Sequence, residues 1–160
     1  MTIKQSLPNV ILLGAQKAGT TSLYSWLSQH PDIFGPKGMK DYNFFCNKEN
    51  LTLGLDWFAK SFNQHNDQKI ILHGHVNYIF YAKSTAPKIY NFNKKVKLIL
   101  ILRNPIERSY SAFWDARKVA LEEIDNFEDA INKEEERIMS DDSRHVDLLT
   151  YLEHGYYSKQ

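Results

Sequence analysis

The sequence predicts an α/β fold: a parallel, P-loop-like β-sheet of about four strands, flanked by helices on both faces. Three observations carry that prediction. Short apolar runs begin near Val10, Ile33, Ile70 and Val96, and runs with little polar alternation suit strands covered on both faces. Between them lie stretches whose apolar residues recur at helical spacing. The first run ends at Gly14, and Gly19 then opens a helix-like stretch, giving the strand, turn and helix that parallel pairing requires. With 160 residues, 42% of them hydrophobic, the chain can bury one core. A single domain over residues 10–160 is expected behind a polar, flexible leader, residues 1–9, that includes Pro8.

Each element has its own signal. Val10–Leu13 is a buried strand. Leu23, Trp26 and Leu27 then mark a helix with Trp26 in the core, and Pro31 disfavours helical geometry at His30, where the helix should end. A short strand at Ile33-Phe34 leads into Pro36–Phe45, a charged loop closing on two aromatics. Leu55, Phe58, Ala59 and Phe62 are spaced as the inner face of an amphipathic helix over 53–62. Ile70–Val76 is the next buried strand, and His73 and His75, two residues apart, should face one side of the sheet. A short helix follows over 84–90 with Pro87 in its first turn. Val96–Leu102 reads as a central parallel strand that delivers Arg103 to the carboxyl end of the sheet.

After Arg103 the helix-start signals are dense. Asn104 is the N-cap, Pro105 the first helical residue, and Glu107 the third, which closes a capping box. This helix should run to about Leu121, with Ile106, Tyr110, Phe113 and Trp114 as its buried stripe. Ser111 falls on the face beneath the N-cap, so Arg103 and Ser111 can hold one phosphate between a planar fork of donors and a hydroxyl. Arg108 reads equally well as a plain helix-surface cation. Residues 126–139 form a partly solvated amphipathic helix, and 147–157 a Tyr-rich helical or turn segment with no closing strand after it.

The chemistry centres on the loop Gly14-Ala-Gln-Lys-Ala-Gly-Thr-Thr-Ser22. Two glycines let the backbone turn tightly, and the N–H groups of the following helix start attract an anion. The spacing matches the front of a nucleotide P-loop, yet Thr20 stands where the P-loop lysine belongs, and the cation, Lys17, lies inside the loop instead. That loop resembles the 5′-phosphosulfate loop of the sulfotransferases that use 3′-phosphoadenosine-5′-phosphosulfate (PAPS). Arg103-Asn-Pro-Ile-Glu-Arg-Ser-Tyr-Ser111 resembles their 3′-phosphate motif, R-x-P-x-x-R-x-x-S. Lys40-Asp-Tyr-Asn-Phe-Phe45 resembles the K-E-x-x-F-F segment of heparan-type and bacterial members, in which the Glu is the catalytic base. Here Asp41, one methylene shorter, occupies that place.

The resemblance implies sulfuryl transfer from PAPS, leaving PAP, to a hydroxyl or amine of a small-molecule or carbohydrate acceptor, without a required metal. Gly14, Gln16, Lys17, Ala18, Gly19, Thr20, Thr21 and Ser22 would bind the 5′-phosphosulfate, and Arg103 with Ser111 the 3′-phosphate. Lys17 would neutralise leaving-group charge, and Asp41 or His75 would take the acceptor proton. His73-Gly74-His75 loosely echoes the Lys-Thr-His of cytosolic members, whereas two strand histidines more often pack than react. The family domain is longer than this chain, with a later strand and a basic, glycine-rich loop that nothing here supplies. A fragment, or a shortened protein that completes its site by other means, is therefore expected. Two competing readings stay open: a magnesium-dependent P-loop kinase, and a nucleotide-binding module without turnover.

Composition narrows the partners. A net charge of +1 provides no broad field for nucleic acid, so an anion site must be built locally. The single Cys46 excludes an internal disulfide and offers no metal pattern. No run approaches the length of a membrane span, and membrane-anchored Golgi members of the resembled family differ in this respect. A cytoplasmic enzyme of bacterial type, or an excised catalytic segment, is the expectation.

Overall fold

The computed structural model describes residues 7–38, 40–140 and 142–160. Four strands form one parallel sheet in the order β2-β3-β1-β4, namely Ile33–Phe34, Ile70–Gly74, Val10–Leu12 and Lys97–Ile99. Val10 pairs with Leu72 on one side and Lys97 on the other, and Ile33 with Ile70. The expected four-stranded α/β fold is present. Residues 1–6 of the expected leader lie outside the described residues. Asn9 is tied to the sheet, its amide and side chain bonding the backbone of Ile71 and Lys69 at the N-terminal end of β3.

Strand alternation separates two cores. Ile11, Ile71 and His73 face one side. There they meet Phe58 of α3 (Gly54–Lys60), Ile89 of α4 (Ala82–Phe92) and the Phe44–Phe45 pair, with Phe62 and Tyr78. Val10, Leu12 and Leu72 face the other side, packed against Tyr24, Leu23 and Leu27 of α1 (Thr20–Leu27). A third cluster joins Ala112, Phe113 and Ala116 of α5 (Pro105–Lys118) to Ala130 of α6 (Phe127–Asn132), Leu149 of α8 (Ser143–Leu149) and Tyr151. Among the described residues no helix is long and apolar enough to cross a membrane.

Several local expectations need correction. Trp26 is 70% exposed: the buried stripe of α1 runs through Thr20 and Tyr24, and Trp26 lies two residues, about 200°, round the helix from Tyr24. β4 is an edge strand. Ile99 and Ile101 pack toward α1, whereas Leu98, Leu100 and Leu102 point to a face left exposed. An apolar groove of about 390 Å³ lies there between α4 and β4. Pro87 sits in the middle of α4 rather than its first turn; it and Lys83 are exposed, so water can satisfy the carbonyl that Pro87 leaves unbonded.

On α5, Phe113 is buried, but Ile106, Tyr110 and Trp114 are exposed. The buried ridge is Arg108, Ser109, Ala112, Phe113 and Ala116, whose small residues let α8 and the 3₁₀ turn at Glu153–Gly155 approach closely. Asn104 caps α5 as expected, accepting from the amides of Ile106 and Glu107. Glu107 does not complete a capping box, because its carboxylate pairs with Arg103. The expected helix over 126–139 divides into α6 and α7 (Glu134–Ile138). Glu134 is buried in α7 and accepts the amides of Tyr151, Leu152 and Glu153. A helix not signalled by periodicity, α2 (Lys48–Thr52), is capped by Asn47, which accepts from the Asn50 amide.

Candidate functional site

The loop between β1 and α1 is fixed first by its glycines. A Cβ on Gly14 would lie 2.4 Å from the carbonyl oxygen of Val76, so only glycine lets β1 pass the turn after β3. Gly19 has φ +94°, and a Cβ there would meet only Ile101 Cδ1, at an unstrained 3.9 Å, so it is needed for its backbone conformation rather than its size. Gly19 caps α1 without a side-chain acceptor, and the first turn carries no acid. The amides there have no intrahelical partner, which leaves the helix start suited to an external anion. The chain just beyond β4 holds the other end: Ala15 donates to Ile101 and Ile101 to Gly14, at 2.8 and 3.0 Å.

One cavity of about 440 Å³ opens at the carboxyl ends of the strands. Its wall brings together Gln16, Lys17, Gly19, Thr20 and Thr21 of the loop, Arg103 and Ser111 beyond β4, and Lys40 with Asp41. Residues from three separate stretches of sequence thus converge on one cavity. Gly14 and Ala18 are buried beneath the loop, and Ser22 is exposed on α1; none of these three lines the cavity. Asp115 does line it. Its signal in the sequence is its position four residues after Ser111 on one helix face.

The cations are held by acids. Lys17 Nζ lies 2.8 Å from Asp115, Arg103 Nε 3.2 Å from Glu107, and Lys40 is paired with its neighbour Asp41. Arg103 also donates to the Lys17 carbonyl at 3.5 Å, and its own carbonyl accepts from Tyr157. Gln16 turns inward. It accepts from Arg108 Nη1 at 3.1 Å and donates to the Asp147 carbonyl at 3.4 Å. Arg108 is therefore no surface cation: it is fully buried and donates also to the Tyr151 carbonyl. Burial pulls its pKa below the ordinary guanidinium value. Periodicity could not reveal this, since an arginine on a helix has no signature that separates a buried from a solvated face.

The two candidate bases differ sharply. Asp41 has φ +67°, a left-handed conformation that aspartate tolerates. Its amide donates to Gly74 at 2.8 Å and its Oδ1 accepts from the Val76 amide at 3.2 Å, which leaves an exposed carboxylate at the cavity wall. His75 is buried and absent from that wall. Its Nδ1 accepts from the Asn77 amide at 3.1 Å, so that lone pair is engaged and the neutral ring carries its proton on Nε2. Burial, opposed by Asp41, lowers its pKa to about 4. His73 lies in the aromatic core with its pKa lowered to about 3 by burial, then by His75. Its Nε2 meets the Tyr78 hydroxyl at 2.8 Å, and that hydroxyl accepts from the amides of Phe44 and Phe45. His73 and Tyr78 thus pin the segment that carries Asp41. Among the described residues no three His, Cys, Asp or Glu side chains gather as a metal site.

Comparison with known proteins places this geometry among relatives. The family model "Sulfotransferase domain" matches residues 7–160. Mouse heparan sulfate glucosamine 3-O-sulfotransferase 5 is 32% identical over 109 residues, 68% of this chain and 31% of its own length. The membrane-associated sulfotransferase kil1 of Dictyostelium discoideum is 38% identical over 110 residues, 67% of this chain and 22% of its length. The crystal structure of a sulfotransferase from Alicyclobacillus acidocaldarius superposes with a TM-score of 0.83 at 30% identity, over 96% of this chain and 66% of the other. The chain thus spans less than a third of the length of these two curated relatives.

Proposed function

The chain belongs to the sulfotransferase domain family, and on that premise we propose that it transfers a sulfuryl group from PAPS to a hydroxyl or amine of a small-molecule or carbohydrate acceptor. The observation that carries the proposal is the convergence on one cavity of a loop lysine, an Arg–Ser pair and a carboxylate. A magnesium-ATP loop would place its lysine directly after Gly19; Thr20 stands there, and family membership weighs against the kinase reading. The donor set suits a nucleotide with two anionic ends: helix-start amides in a first turn without an acid, three hydroxyls and three cations.

PAPS, when bound, supplies an activated sulfuryl group. Thr20, Thr21 and the amides at the start of α1 would bind its anionic end. Lys17 Nζ would neutralise charge developing on the leaving phosphate, an interaction that strengthens toward the transition state. Arg103 and Ser111 would bind the terminal phosphate, Arg103 through its planar fork. Asp41 would accept the acceptor proton on a carboxylate oxygen, which requires Lys40 to release it or to share it. His75 has no free lone pair facing the cavity and is not assigned the proton.

Calorimetry with PAP, ADP and ATP, with and without magnesium, tests the proposal. PAP should bind more tightly than ADP, independently of magnesium. Arg103→Ala should remove most of that preference, about 1.5 to 3 kcal/mol for a lost charge-assisted contact. Magnesium-dependent ATP binding insensitive to a 3′-phosphate would contradict it.

A further inference from the structure

Each cation of the cavity is held by an acid of the chain itself, and the three pairs do not have the same origin. Lys40–Asp41 are sequence neighbours, and Arg103–Glu107 are four residues apart. Lys17 and Asp115 come from different elements and meet only because the sheet sets α5 beside the loop. Ser111 and Asp115 lie one turn apart on the same face of α5, so the carboxylate faces the cavity that the serine faces. A carboxylate here opposes the binding of any anion, and nothing in the packing requires it, since its side chain is 58% exposed.

We propose that Asp115 is an internal counter-ion for Lys17: it holds the ammonium while the cavity is empty of donor, yields it when the donor enters, and recaptures it as the spent nucleotide leaves. This rests on the donor reading given above. Lys17 is the one cavity cation inside the phosphate loop, and its side chain is only 28% exposed. An unpaired ammonium there, beside the amides of α1, would retain stray phosphates and hold the product. A pair with an exposed acid partner is weak and screened, so a multiply charged donor displaces it. The same pair also competes with the spent nucleotide, which keeps its phosphate charge but has lost the contacts of the sulfate end. Asp115 is therefore a positioning residue that acts through Lys17 and touches no reacting atom.

The test is a double-mutant cycle read by PAP calorimetry at low ionic strength. Asp115→Asn should tighten PAP binding roughly two- to fivefold, the equivalent of a partly exposed ion pair, and the gain should shrink as salt is added. Asp115→Glu, which restores the acid, should bring affinity back to within about twofold of the wild type. In a Lys17→Ala background, Asp115→Asn should change PAP affinity little, because the coupling partner is gone. Unchanged or weaker PAP binding by Asp115→Asn would overturn the proposal, as would an equal gain without Lys17, which would make Asp115 a mere background charge. A wild-type chain that binds ATP with magnesium and ignores PAP would instead overturn the donor reading, and the role of Asp115 with it.

Discussion

The phosphate side of the cavity and the base side are built in opposite ways. On the phosphate side, geometry comes from the backbone: Gly14 and Gly19 set the loop, α1 begins where the loop ends, and the chain just beyond β4 clamps it through Ala15 and Ile101. On the base side, Asp41 lies in a loop without regular structure, placed by side chains far away in sequence. Tyr78 collects the amides of Phe44 and Phe45, and His73 meets the Tyr78 hydroxyl. The first arrangement is set by backbone conformation and backbone pairing. The second depends on a packed aromatic core, which is why the acceptor side of a shared scaffold can change while the donor side persists.

Arg108 provides the strongest way to break that contrast, because it ties the phosphate side to the C-terminal layer through Gln16 and the Tyr151 carbonyl. Arg108→Leu removes a charged donor from two acceptors and should destabilise the protein by about 3 kcal/mol in urea unfolding. It should also weaken PAP binding, as Gln16 loses its anchor. Arg108→Lys should recover only part of the stability, since one ammonium cannot reproduce the fork. Near-wild-type stability in Arg108→Leu would leave the phosphate side purely local.

Acid offers a smaller perturbation, aimed at the base side. The pKa values of His73, His75 and His154 lie near 3, 4 and 3, each lowered chiefly by burial. Their unfolded values lie near 6.5, so as pH falls the unfolded chain takes up protons first. The stability from keeping these rings neutral is complete above about pH 6.5 and is lost as pH falls toward 4. The loss is about 2 kcal/mol for each imidazole at pH 5. His73→Gln should flatten part of this slope while loosening the Asp41 segment. A stability constant from pH 7 to pH 5 would show that these rings are not buried as described.

What the sequence revealed follows the same division. The number of strands, the loop, and the placing of Arg103 just before and Ser111 within a capped helix were legible, because backbone conformation and helical period determine them, whereas the edge position of β4 was not. Asp41 was found through a resemblance, not through geometry. The exposed Trp26, the exposed Ile106–Tyr110–Trp114 stripe and the burial of Arg108 were not legible. Each depends on which third element packs against a helix, and the amphipathic pattern marks a face without naming its neighbour. The capture of Lys17 by Asp115 was hidden for the same reason: two residues 98 positions apart (115 − 17) meet only through the sheet order.

The central claim is that the carboxylate at the cavity wall, and not the strand histidine, handles the acceptor proton. Turnover of PAPS with a productive acceptor, compared across Asp41→Asn, Asp41→Glu and His75→Gln, tests it most directly. Asp41→Asn should lower kcat by ~10²- to 10⁴-fold, the usual contribution of a general base, with PAP affinity preserved. Asp41→Glu should retain part of the activity, and His75→Gln most of it. A full-rate Asp41→Asn beside an inactive, folded His75→Gln would contradict the account and move the proton to the histidine.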